Sequence, residues 1–131
     1  MRVLVLRSLA LTVPFALLTL IGTSRDASAV FCARLNQEVL KADAALVPGS
    51  TTLARMIGAF QTSSRVVSGT MVIYPVANRV RVTATIYPAT DPGELSYLNF
   101  IVDLASGAGS GTFSKSSGSV GPLTFQAIPC S

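Results

Sequence analysis

Residues 79–87 read RVRVTATIY and form the clearest strand pattern in the chain. Apolar and polar side chains alternate along the whole stretch. The apolar set comprises Val80, Val82, Ala84 and Ile86, and the polar set comprises Arg79, Arg81, Thr83, Thr85 and Tyr87. Because successive side chains of a β-strand point to opposite faces of a sheet, this alternation predicts a strand that is buried on one side only.

Similar patterns flank this strand and extend it into a sheet. We predict further strands over residues 66–74, 95–104, 111–114 and 123–128. Tyr-Pro pairs at 74–75 and 87–88 mark strand ends, because proline has no N–H to donate to a sheet ladder. The connections are short, and short connections join antiparallel strands, whereas parallel strands need long crossovers. The sequence therefore predicts an antiparallel meander of four or five strands.

The stretch before this meander follows a different period. Apolar residues recur at steps of four, four, three and four, which is the spacing of one helix face: Phe31, Leu35, Val39, Ala42 and Leu46. We predict a helix over 31–47 that ends at Pro48-Gly49. A weaker pattern over 51–61 is compatible with a second helix or with a strand. Because one sheet face needs an apolar cover, we expect an α+β domain in which one or two N-terminal helices pack on the meander.

The N-terminus has the layout of a secretory signal peptide. Arg2 and Arg7 precede an uncharged apolar stretch at 9–21, and Ala27-Ser28-Ala29 supplies small residues at the cleavage site. The apolar stretch is shorter than the roughly 20 residues of a membrane-spanning helix; an uncleaved anchor that also uses residues 3–6 is the alternative. We expect a signal peptide over 1–29, one domain over 30–131, a secreted or periplasmic location and no stable membrane insertion after cleavage.

Two cysteines lie near the ends of the predicted domain. In an oxidising compartment an even cysteine count indicates a disulfide, so we predict a Cys32–Cys130 bond that fixes the helix start to the last strand. Closing a loop of about 100 residues contributes about 4–5 kcal/mol in the chain-entropy model. A metal site would need further cysteine or histidine ligands, and the chain has no histidine. No cofactor is therefore expected.

Charge and composition exclude one class of partner. After residue 29, seven basic and five acidic side chains remain, a formal charge of +2. The basic residues do not cluster, so no group of them could neutralise several phosphates, and we expect no nucleic-acid binding.

Few residues are candidates for catalysis. The missing histidine removes the commonest general base and the Ser-His and Cys-His pairs. Asp91 and Glu94 flank a Pro-Gly turn and could approach each other as hydrolytic carboxylate pairs do, although acidic residues are also common in solvated turns. For Asp103, on the outer face of a strand, a cross-strand ion pair with Arg79 or Arg81 is the simplest role.

Three functional hypotheses follow. The first is a secreted, non-catalytic interaction or structural module with an unknown protein partner. Its candidate interaction surface comprises Arg79, Arg81, Asp103, Tyr87 and Lys115, the last on an exposed Gly/Ser-rich loop. The second is a carrier of a small apolar ligand between helix and sheet. The third, and weakest, is a small secreted hydrolase that uses carboxylates.

Overall fold

The computed structural model describes residues 28–90 and 92–130. Every regular element in this part of the chain is a strand: β1 (Ser28–Leu35), β2 (Glu38–Leu46), β3 (Leu53–Phe60), β4 (Val66–Tyr74), β5 (Arg79–Ile86), β6 (Ser96–Asp103), β7 (Ala108–Lys115) and β8 (Val120–Ile128). Each strand pairs antiparallel with the next, and β8 pairs with β1, so that the sheet closes into an eight-stranded barrel. Within these residues no helix has the length and hydrophobicity needed to cross a membrane. The predicted signal peptide lies outside the described residues except for Ser28 and Ala29, which belong to β1.

The predicted α+β fold is wrong, because residues 31–47 form most of the β1–β2 hairpin. Two residues that are four positions apart share a face in a helix. They also share a face in a strand, where residues separated by any even number of positions point the same way. Phe31 and Leu35 therefore both face the barrel interior from β1. Only the step of three from Val39 to Ala42 favoured a helix, and Val39 is half-buried outside the core set.

The second ambiguous segment, residues 51–61, contains β3 and is a strand. The strands predicted after it are confirmed in position and antiparallel order, with β4 covering the predicted residues 66–74. The predicted strands at 111–114 and 123–128 are longer than expected and correspond to β7 and β8. Because the sheet closes on itself, its inner face is covered by its own strands and needs no helix.

The barrel interior is filled by side chains. Leu40, Val67, Ile73 and Val80 are among the largest fully buried residues, and the rings of Phe100 and Phe125 stack across the interior with centroids 5.1 Å apart. The cavity left between the core side chains measures about 20 Å³, which is room for about one water molecule.

The predicted disulfide is confirmed, but it joins two strands instead of a helix and a sheet. Cys32 lies on β1, and Cys130 follows β8, with their Cα atoms 5.1 Å apart. The β1–β8 ladder is the shortest in the barrel, with four register pairs from Cys32–Ile128 to Leu35–Phe125. The disulfide therefore adds a covalent link next to the shortest ladder of the closed sheet.

Candidate interaction face

The outer face of β4–β7 carries two rows of uncharged polar side chains. Strand register places Ser68, Thr85, Tyr97 and Ser114 side by side in one row, and Thr70, Thr83, Asn99 and Thr112 in the next. We call these eight residues the hydroxyl belt. Each strand contributes two residues at alternate positions, so the belt follows from the same period-two pattern that buries the intervening side chains.

Local sequence explains why these residues lie on strands. Threonine is β-branched and fits a pleated, half-exposed surface. Thr70 and Thr83, directly opposite each other on β4 and β5, share a hydrogen bond of 3.1 Å between their hydroxyls. Arg81 lies one row below the belt, and its Nη1 donates a hydrogen bond of 2.8 Å to Oδ1 of the belt residue Asn99. These two cross-strand bonds order one side of the belt.

Two glycines shape the surface beneath the belt. A methyl group on Gly69 would collide with the carbonyl oxygen of Thr83, and one on Gly111 would collide with the carbonyl oxygen of Asn99. β4 can approach β5 this closely at Gly69, and β7 can approach β6 this closely at Gly111, only because both side chains are missing. The belt accordingly lines a shallow, open depression of about 500 Å³.

Exposed apolar side chains form a rim above the upper row of the belt and at its β3 end, together with Tyr97 within the row. Val66 lies on β4, and Tyr87 lies just beyond the end of β5. Tyr87 N donates to Val66 O at 2.8 Å, and each of the two residues is 44% exposed. Ile57 on β3 is 59% exposed, and Tyr97 in the belt is 41% exposed. Exposed apolar side chains that gather in one place, instead of being scattered singly, are typical of interaction surfaces.

Below the belt lie three of the predicted surface residues. Arg79 and Asp103 are register partners on β5 and β6, with Arg81 one row away. They form no ion pair: within residues 28–90 and 92–130 the one ion pair joins Glu38 and Arg65. Asp103 instead accepts a hydrogen bond from Ser106 Oγ at 3.0 Å. The cross-strand ion pair predicted for Asp103 is therefore not formed.

The structure thus brings four of the five predicted surface residues onto one face and leaves the fifth apart. Arg79, Arg81 and Asp103 occupy the lower corner of this face and Tyr87 its upper end. Lys115 occupies a position of β7 that faces the barrel interior. Its Nζ lies 5.9 Å from the ring centroid of Phe113. Lys115 belongs to the upper mouth, the barrel end formed by the connecting residues 36–37, 61–65, 87–90, 92–95 and 116–119.

The upper mouth is an open cup of about 620 Å³. At its edge Arg65 Nη2 lies 3.3 Å from Glu38 Oε2, and the Arg65 guanidinium lies over the Phe60 ring. The other carboxylate oxygen, Glu38 Oε1, is buried and has no hydrogen-bond partner in the described part of the chain. The apolar floor is already well covered, since Leu35, Phe60, Ile86, Leu98 and Leu123 are each less than 5% exposed. A ligand in this cup would therefore bury little additional apolar surface.

Of the two carboxylates that could form a catalytic pair, Asp91 and Glu94, the structure describes only Glu94. Asp91 lies outside the residues that the structure describes. Glu94 Oε2 accepts a hydrogen bond from Ser117 N at 3.0 Å, which ties the β5–β6 connection to the β7–β8 turn. Hydrogen bonds from Ser117 hold the pKa of Glu94 below its ordinary value. In the described residues no three His, Cys, Asp or Glu side chains are grouped as metal ligands.

Sequence reasoning missed the hydroxyl belt as a unit. It placed Thr83 and Thr85 on the polar face of one strand but assigned no role to Ser68, Thr70 or Thr112. The available signal was the recurrence of a hydroxyl residue at alternate positions of β4, β5 and β7. In comparisons with protein-family models, curated proteins and solved structures, nothing matches the chain.

Proposed function

We propose that this chain is an exported, non-catalytic binding module that recognises its partner through the outer face of β4–β7. The observation that carries the proposal is the hydroxyl belt: eight uncharged hydrogen-bonding side chains gathered across four strands, with an exposed apolar rim beside them. A rigid sheet surface of this kind can be complementary to a partner without rearranging.

Two further features support a binding role over the alternatives. The cavity of about 20 Å³ inside the barrel leaves no space for a carried ligand larger than a water molecule. Glu94, one of the carboxylates suggested for hydrolysis, instead bridges two connections through Ser117. Export is supported by the signal-peptide layout of residues 1–29 and by the Cys32–Cys130 disulfide, a bond that persists in oxidising compartments.

Site-specific photo-crosslinking in the producing organism tests the proposal. Tyr97, in the centre of the face, is replaced by p-benzoylphenylalanine, and the matched control carries the same replacement at Arg34, which is exposed on the outside of β1. We expect an adduct with a binding partner from Tyr97 and none from Arg34. Equal adducts from both positions, or no adduct from Tyr97, would contradict the assignment of the binding face.

A further inference from the structure

We infer that the hydroxyl belt binds an uncharged carbohydrate chain. This inference rests on the proposed function and names the chemical class of the partner. It starts from the composition of the belt, which contains seven hydroxyls and one carboxamide and no charged side chain. Each hydroxyl can donate one hydrogen bond and accept two, and the carboxamide can donate and accept as well. A carbohydrate hydroxyl can also donate and accept, so hydrogen bonds between the belt and a carbohydrate can form in many relative orientations of the two surfaces.

Most of this capacity is not used within the protein. The hydroxyls of Ser68, Thr85, Thr112 and Ser114 make no hydrogen bond to another described residue. They line an open depression and are accessible to water molecules from the solvent. Carbohydrate hydroxyls can take the place of these waters bond for bond, and the released waters favour association. Because no ion has to be dehydrated in the belt, a neutral ligand meets no large desolvation penalty there.

Tyr97 supplies the apolar part of the site. It lies between Thr85 and Ser114 in the upper row and is 41% exposed. A sugar ring has an apolar C–H face as well as its hydroxyls, and an exposed aromatic side chain with a polar tip suits such an amphipathic surface. Tyr87 is the diagonal neighbour of Tyr97 across β5 and β6. Two aromatic side chains at such diagonal positions of a sheet are close enough to interact.

The dimensions and composition favour a carbohydrate chain over a protein. Four strands spaced about 4.8 Å apart make the belt about 14 Å long, the length of a short oligosaccharide. Binding hot spots between proteins are dominated by tryptophan, tyrosine and arginine, whereas serine and threonine are under-represented. A surface with six serine and threonine residues out of eight is therefore a poor protein-binding centre.

The test uses the disulfide-bonded chain and an array of neutral glycans, including β-1,4-, β-1,3- and α-1,4-glucans and chitin fragments, with alginate as the anionic comparison. We expect the chain to bind at least one neutral glycan. The affinity should be the same at 50 mM and 500 mM salt, because no ion pair is involved. The double variant Thr83→Val, Thr85→Val keeps β-branched side chains and removes two hydroxyls. It should bind at least tenfold more weakly, and Tyr97→Ala should bind more weakly as well.

The matched control is Thr51→Val, Thr62→Val, which removes two exposed hydroxyls from turns outside the belt and should leave binding unchanged. Binding to alginate alone, loss of binding at high salt, equal binding by the belt variant and wild type, or no binding on the array would each overturn the inference. The crosslinking experiment separates the two proposals. A protein adduct from Tyr97 would overturn the carbohydrate assignment and support the binding face, a carbohydrate adduct would support both proposals, and no adduct would overturn both.

Discussion

Asn36 and Thr124 are joined by three hydrogen bonds that close the barrel seam at the upper mouth. Thr124 N and Oγ1 donate to Asn36 Oδ1 at 2.9 and 3.2 Å, and Asn36 N donates to Thr124 O at 2.9 Å. The two residues lie one position beyond Leu35–Phe125, the last register pair of the short β1–β8 ladder. One turn residue thus reverses the chain between β1 and β2 and also extends the closure of the sheet.

Replacing Asn36 should destabilise the barrel through both roles. Asn36 has a φ of 53°, in the left-handed region that glycine and asparagine tolerate. Asn36→Gly keeps this backbone conformation and the bond from Asn36 N to Thr124 O but removes the two bonds that Asn36 Oδ1 accepts from Thr124, so we expect a loss of about 1–2 kcal/mol in the free energy of unfolding. Asn36→Ala should cost about 1 kcal/mol more because of backbone strain.

Urea unfolding of the two variants and the wild type checks this prediction. If Asn36→Gly is as stable as the wild type, the Asn36 side chain does not contribute to closing the seam.

The disulfide should supply a large part of the stability. Removing the Cys32–Cys130 bond with the double variant Cys32→Ala, Cys130→Ala frees a loop that spans almost the whole barrel, and the chain-entropy model gives a loss of about 4–5 kcal/mol. Because a small domain has a total stability of about 5–15 kcal/mol, we expect a much lower melting temperature. Calorimetry of the variant, alongside wild type with and without reductant, measures the effect; a change below about 1 kcal/mol would contradict it.

Gly69 and Gly121 form a matched pair for testing the close approach of β4 and β5 beneath the hydroxyl belt. A methyl group at Gly69 would collide with backbone atoms of Thr83 and Ala84, whereas one at Gly121 would meet nothing within 4 Å. We expect Gly69→Ala to lower the free energy of unfolding by about 2–3 kcal/mol and Gly121→Ala to change it by less than about 0.5 kcal/mol. Chemical denaturation compares the two, and equal effects would show that β4 and β5 are not closely apposed at Gly69.

Glu94 should contribute stability that depends on pH in a defined direction. Its pKa is lowered in the folded chain by hydrogen bonds from Ser117 and by the nearby Lys115 charge. A carboxyl group with a depressed pKa stabilises the fold above its unfolded pKa, and that contribution is lost as the pH falls through the folded pKa. The stability difference between wild type and Glu94→Gln should therefore be present at pH 7 and disappear in acid.

NMR titration of the Glu94 carboxyl measures this pKa directly, with Ser117→Gly as the companion variant. A Glu94 pKa at or above its ordinary value in the wild type would show that Ser117 does not stabilise the carboxylate.

Sequence alone determined the features that depend on strict alternation and on cysteine position. Residues 79–87 alternate through nine positions, a pattern that no helix reproduces, and β5 forms almost as predicted over Arg79–Ile86. The Cys32–Cys130 pairing followed because the chain has two cysteines. The strand prediction rests on a local rule, whereas the disulfide prediction rests on the cysteine count and on export to an oxidising compartment.

Tertiary structure decided how the apolar face of the sheet is covered. In residues 31–47 the spacing between Phe31 and Leu35 satisfies a helix and a strand equally, and only pairing with β8 and β3 selects the strands. The hydroxyl belt is also a product of register, since Ser68, Thr83 and Thr112 become neighbours through ladders that no single segment encodes. The physical reason is that burial in a closed sheet is shared among strands distant in sequence, whereas periodicity reports only which side chains of one segment share a face.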